Sequence, residues 1–216
     1  FHDWNVFLMV AVAVNMVAAA LWLRVNPRRI AAVAALMVCV SLHAEKKPLE
    51  FDIQWVNPPE KLVTGLTHHT LVSKSMGHAV GFNVYLPPGY DKSIDRYPVL
   101  YWLHGATGHE SSRVMIAEQF HRAIETRIIP AAILVIPNGG KRSEYRDWEP
   151  QRVMMETFLI RELIPHIDAT YRTIASRNGR HIEGMSMGGN GALKLAFKYP
   201  QMFGSVVAYA GSYRPL

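Results

Sequence analysis

A single cysteine, Cys39, is present, so the chain cannot close an internal disulfide, and zinc sites built from several cysteines are excluded. Basic residues are not clustered. No run exceeds pairs such as Arg28-Arg29 and Lys46-Lys47, and the formal net charge of +6 is spread along the chain. A nucleic-acid-binding face would concentrate that charge, so no nucleic-acid partner is expected. No glycine-rich stretch ends in Gly-Lys-Ser/Thr, which excludes a P-loop for phosphate. Internal repeats and low-complexity tracts are absent as well.

Charge is also missing from two early stretches. Val6 to Leu23 is apolar except for Asn15 and is long enough to cross a bilayer. Ile30 to Leu42 is a second apolar run, too short for a comfortable span but suited to a signal-peptide core. The order Asn26-Pro27-Arg28-Arg29, apolar run, Ala44 reads as an export signal, with translation starting near Val25 or Met16. Residues 1–44 are therefore expected to be an apolar anchor or signal-peptide-like segment of one or more helices. Membrane contact is expected through 6–42, and the protein to be exported or anchored facing outward. Residues 45–66, with Pro48, Pro58 and Pro59, read as a linker or lead-in strand.

From Thr67 the pattern becomes regular. Thr67 to Met76 and Ala79 to Leu86 are β-rich runs around Gly77-His78, which predicts a hairpin. Val99 to Leu103 and Ala131 to Ile136 are short apolar runs of the kind buried in parallel sheets. Ser111 to Ile128 and Val153 to Tyr171 have helical spacing, the second bent at Pro165. His181 to Met185 predicts a strand, Met187 to Tyr199 a helix and Val206 to Ala210 a last strand. Strands alternating with helices predict an α/β fold over 67–216, its sheet mostly parallel with helices on both faces.

The chemistry concentrates in Gly184-Met185-Ser186-Met187-Gly188, where a strand ends and a helix begins. Gly-x-Ser-x-Gly in that setting is a nucleophile elbow: the serine sits on a tight turn, and Gly184 and Gly188 remove side chains that would clash. The helix aims its first amides at the point where negative charge develops, and the Met187 N–H is the first candidate oxyanion donor. A second should come from the loop after an earlier strand. Leu103-His104-Gly105-Ala106 follows such a strand; the Ala106 N–H is the candidate, with Gly105 allowing close approach. His104 is expected to shape this loop rather than to act as a base.

These residues carry a resemblance. Val84-Tyr85-Leu86-Pro87-Pro88-Gly89-Tyr90, Tyr97 to Gly105, Glu162-Leu163-Ile164-Pro165-His166-Ile167-Asp168 and Gly184 to Gly189 are similar to the esterase D family of α/β-hydrolases. That family includes feruloyl and acetyl xylan esterases, S-formylglutathione hydrolase and the antigen 85 mycolyltransferases. The resemblance covers about residues 62–216. It implies a Ser–Asp/Glu–His triad with the serine first, no cofactor, no metal, and a small-molecule or carbohydrate ester as substrate.

One departure stands out. Residues 187–216 contain no Asp, Glu or His, although the family's acid and base follow the serine. With Phe1 at its start, the chain reads as a fragment lacking the last strands, inactive alone and with an unpaired sheet edge. An acyltransferase of the same fold and a non-catalytic membrane-anchored module are the alternative readings. Tyr145, Trp148 and Glu149 follow a predicted strand and are candidate substrate-rim residues. Asp168 is expected to cap a helix at the surface, and Glu183 to mark a polar pocket beside the serine. His68 and His69 adjoin in a strand, so they should face opposite ways and hold no metal together.

Overall fold

A computed structural model describes residues 53–61 and 63–211. The expected anchor or signal segment at 1–44 lies outside the described residues. The strands are β1 (Leu66–Val72), β2 (Ala79–Tyr85), β3 (Val99–Leu103), β4 (Ile133–Pro137), β5 (Asp147–Trp148), β6 (Val153–Met154), β7 (Arg180–Met185) and β8 (Ser205–Tyr209). Six form one sheet in the order β1-β2-β4-β3-β7-β8, while β5 and β6 pair as a small antiparallel ribbon. β4–β3, β3–β7 and β7–β8 pair in parallel, whereas β1–β2 and β2–β4 are antiparallel, so β2 alone runs against the others.

The hairpin forms where expected. Gly77 turns it with φ 80°, a left-handed conformation open to glycine. Glu162 then accepts the N–H groups of Lys74 and Ser75 at 3.0 and 2.9 Å, fastening the turn to the helical layer.

Alternation along the central strands divides the core in two. Val99, Tyr101 and Leu103 of β3 face one side with Ile133 and Val135 of β4; Trp102, Leu134 and Ile136 face the other. Helix α1 (Met115–Glu125) covers the second side with Ala117, Ile116, Phe120 and Ile124. The first side is covered by α2 and α3. We use α2 for three continuous segments: α-helical Met155–Thr157, π-helical Phe158–Leu163 and α-helical Ile164–Thr170. Helix α3 is Met187–Lys198, and Phe158, Leu163, Ile167, Ala192 and Leu195 lie in that core.

Two boundaries differ from expectation. α1 begins at Met115 rather than Ser111, because Ser111 Oγ donates to Asn57 O at 2.5 Å and Ser112 Oγ accepts the His109 N–H at 2.8 Å. Such side-chain bonds hold residues in turns instead of a helix. The helix expected over Val153 to Tyr171 starts at Met155, after the Val153–Met154 strand, and carries a π-helical stretch before Pro165. A widened π turn ends at Leu163, just before the proline that has no N–H to give to the preceding turn.

Residues 53–61 have no regular secondary structure. Trp55 O accepts the Gly81 N–H at 2.7 Å, and Gln54 O accepts Asn138 Nδ2 at 2.9 Å, docking this segment beside β2 and the end of β4. Among the described residues, no helix is long and apolar enough to cross a membrane. Asp168 is not a surface cap: it pairs with buried Arg180 at 2.6 Å and accepts Thr173 Oγ1 at 2.7 Å, which fixes the start of β7.

Candidate active site

β4, β3 and β7 are adjacent and parallel, so their C-terminal ends emerge at one edge of the sheet. Open α/β sheets place ligands there. The pairing of Leu103 with Gly184 sets the start of the His104–Glu110 loop beside the strand end that leads into Ser186.

Ser186 joins β7 to α3 with φ 55° and ψ −118°, a strained backbone for a residue with a side chain. Such conformations cost about 1–3 kcal/mol and persist only where neighbours enforce them. Here the Ser186 N–H donates to Tyr209 O at 2.8 Å, and Ser186 O accepts the Asn190 N–H at 3.1 Å to start α3. Two glycines make the turn fit. A Cβ on Gly184 would lie 2.4 Å from the Gly188 carbonyl, and one on Gly188 would lie 2.0 Å from Leu103 O. Ser186 is exposed, and among the described residues its hydroxyl has no hydrogen-bond partner.

A Cβ on Gly105 would meet Met185 O at 3.6 Å and Ser186 Cβ at 3.7 Å, ordinary contact distances, so packing within the protein does not demand glycine there; the position faces the serine. Ala106 is next to it, in a turn closed by Gly108 N–H to Gly105 O at 3.0 Å. The Ala106 N–H has no backbone acceptor among the described residues, whereas its carbonyl accepts the Arg142 N–H at 2.9 Å. Met187 opens α3, where first-turn N–H groups have no intrahelical acceptor.

His104 is buried beneath this loop. Its Nε2 accepts the Gly139 N–H and its Nδ1 donates to Gly105 O, both at 2.8 Å. These bonds select the neutral Nδ1–H tautomer and occupy both nitrogens. Burial pushes the imidazole pKa down to about 4. His104 thus ties together the loops after β3 and β4, and neither nitrogen is available as a base.

The rim expectation divides. Tyr145 is wholly buried, so its ring is a support and not a rim contact. A Cβ on Gly139 or Gly191 would collide with that ring, and its hydroxyl donates to His104 O at 3.1 Å. Its carbonyl accepts Lys194 Nζ of α3 at 2.5 Å. Trp148 is half-buried, with Nε1 donating to Ser143 O at 2.9 Å and the Arg146 guanidinium 3.7 Å above its ring. Glu149 is exposed at the start of a short 3-10 turn, Glu149–Gln151. Glu183 is half-buried within β7, bonded to Tyr209, and burial raises its pKa. His68 and His69 do part, one reaching Glu110 and the other stacking on Phe82.

The residues that brace these loops, Tyr145, Lys194 and Glu110, were not legible as such. Each acts across a long sequence distance. The hints are glycines at 139 and 191, one near Tyr145 in the chain and one distant, which together make room for its ring.

A largely parallel sheet with a serine on a strained strand-to-helix turn defines an α/β-hydrolase fold. The chain belongs to the Esterase family, which matches residues 73–216. An esterase of Mycobacterium tuberculosis, Rv1288, is 35% identical over 156 residues, covering 68% of this chain and 32% of that protein. An endo-1,4-beta-xylanase/feruloyl esterase of Xylanibacter ruminicola is 33% identical over 146 residues, covering 62% of this chain and 20% of that protein. The chain thus spans about a third or less of these relatives. Among solved structures, a ferulic acid esterase superposes with TM-score 0.61 at 31% identity, covering 66% of this chain and 58% of the other. An S-formylglutathione hydrolase from Agrobacterium tumefaciens gives 0.59 at 25% identity, with coverage of 70% and 60%.

Proposed function

We propose that the natural protein is a serine carboxylic-ester hydrolase that works through an acyl-enzyme. Ser186 Oγ attacks the ester carbonyl, and the Met187 and Ala106 N–H groups hold the oxyanion. The alcohol leaves, and water then releases the acid. The observation that carries this reading is the Ser186 backbone, φ 55° at the junction of β7 and α3. Strain of this kind is maintained where it exposes a reactive side chain.

The reading needs a general base, because an unpaired serine hydroxyl is a weak nucleophile. His104 does not fill that role, since both ring nitrogens bond to backbone. Among the described residues the Ser186 hydroxyl meets no other such base. The substrate class we favour is a feruloyl or acetyl ester on a carbohydrate. Relatives named as feruloyl and ferulic acid esterases support it, as does the export-signal pattern at 26–44.

The test is hydrolysis of methyl ferulate and p-nitrophenyl acetate by the full-length natural protein and its Ser186→Ala variant. The variant should lose more than about a thousandfold in kcat/KM. Retained hydrolysis in the variant would reject Ser186, and failure of the wild type on both esters would reject the substrate class.

A further inference from the structure

The loop that leaves β3 carries Ala106 near its crest and ends on Glu110, whose side chain has no exposed surface. A buried carboxylate is costly unless donors surround it. Glu110 has three. Oε1 accepts the Asn57 N–H at 2.5 Å and faces His68 Nε2 at 3.2 Å; Oε2 accepts Asn57 Nδ2 at 3.1 Å. A carboxylate only accepts, so His68 presents its Nε2–H. The Glu110 carbonyl accepts Asn83 Nδ2 at 2.8 Å. The chain is shaped around this group: a Cβ on Gly81 would stand 2.0 Å from Glu110 Oε1.

These partners come from the lead-in segment, β1 and β2, and none belongs to the candidate active site. The loop is therefore pinned at both ends, by His104 to Gly139 and by Glu110 to the hairpin layer. Ala106 lies between the pins. We propose that Glu110 is a positioning residue for the oxyanion loop: its buried carboxylate fixes the loop's far end so that the Ala106 N–H points at the reacting carbonyl oxygen. This rests on the esterase reading above. Oxyanion donors act mainly in the transition state, so a displaced donor lowers kcat more than it raises KM.

Glu110→Gln keeps the volume but sets an NH2 group against donors on Asn57 or His68, which a carboxylate would satisfy. In the full-length natural protein we expect Glu110→Gln to lower kcat by about ten- to a hundredfold, with KM within about threefold. The rate is expressed per serine titrated with a fluorophosphonate, so loss of folded protein does not count. Binding of a boronic-acid analogue of the tetrahedral intermediate should weaken in proportion to kcat. Unchanged kcat per titrated serine, or an equal effect on KM, would overturn the proposal. If Glu110→Gln does not fold, His68→Ala removes one donor without touching the loop. It should show the same pattern at about three- to tenfold, and an unchanged kcat would overturn the proposal. Ser186→Ala separates the two claims: activity surviving there rejects the esterase reading itself, whereas a silent Glu110→Gln beside a dead Ser186→Ala rejects positioning alone.

Discussion

His104 Nε2 accepts the N–H of Gly139 at 2.8 Å, which joins the loop after β3 to the loop after β4 through one neutral imidazole. Protonation would leave two N–H groups facing each other. Burial is the main cause that lowers its pKa to about 4.

This bond gives stability a pH dependence. The imidazole titrates at 6.5 in an unfolded chain and at about 4 in the fold. Between those values the unfolded chain binds more protons, so acid favours unfolding. The contribution is whole above about pH 6.5 and is lost as pH falls toward 4. His104→Gln should lower unfolding free energy by about 1–3 kcal/mol at neutral pH and flatten this acid dependence. Urea midpoints measured across that range for both proteins check it; an unflattened profile would remove His104 as its source.

The three site glycines should respond differently to a methyl group. Gly188→Ala meets Leu103 O at 2.0 Å and should destabilise by about 3 kcal/mol or more. Gly184→Ala, at 2.4 Å from Gly188 backbone, should behave alike. Gly105→Ala meets nothing closer than 3.6 Å and should keep its melting temperature within about 2 °C. Its new methyl beside Ser186 should nevertheless slow ester turnover. Thermal melts paired with steady-state assays distinguish the two behaviours.

Tyr145→Phe tests the correction at the rim. The substitution removes the 3.1 Å bond to His104 O while keeping the ring that fills the space beside Gly139 and Gly191. Stability should fall by about 0.5–1.5 kcal/mol, with KM for ester substrates unchanged. A raised KM at unchanged stability would return Tyr145 to the substrate surface.

The strands and the serine turn were legible because their signals are local. Val99 to Leu103 is a continuous apolar run, and the spacing of Gly184, Ser186 and Gly188 encodes a tight turn within five residues. What supports the turn is not local. Tyr145 looks like a loop residue until Gly139 and Gly191 close on its ring, and Glu110 looks like a solvated acid until Asn57 and His68 reach it. Gly105 was legible as part of the site, and the fold sets it beside Ser186.

The central claim is that Ser186 is the residue that becomes acylated. The most direct measurement is peptide mapping by mass spectrometry after treating the full-length natural protein with a fluorophosphonate, or after trapping it with a slowly hydrolysed ester. We expect one adduct, on the peptide containing Ser186, and none in Ser186→Ala. An adduct on a different residue, or equal labelling of the alanine variant, would contradict it.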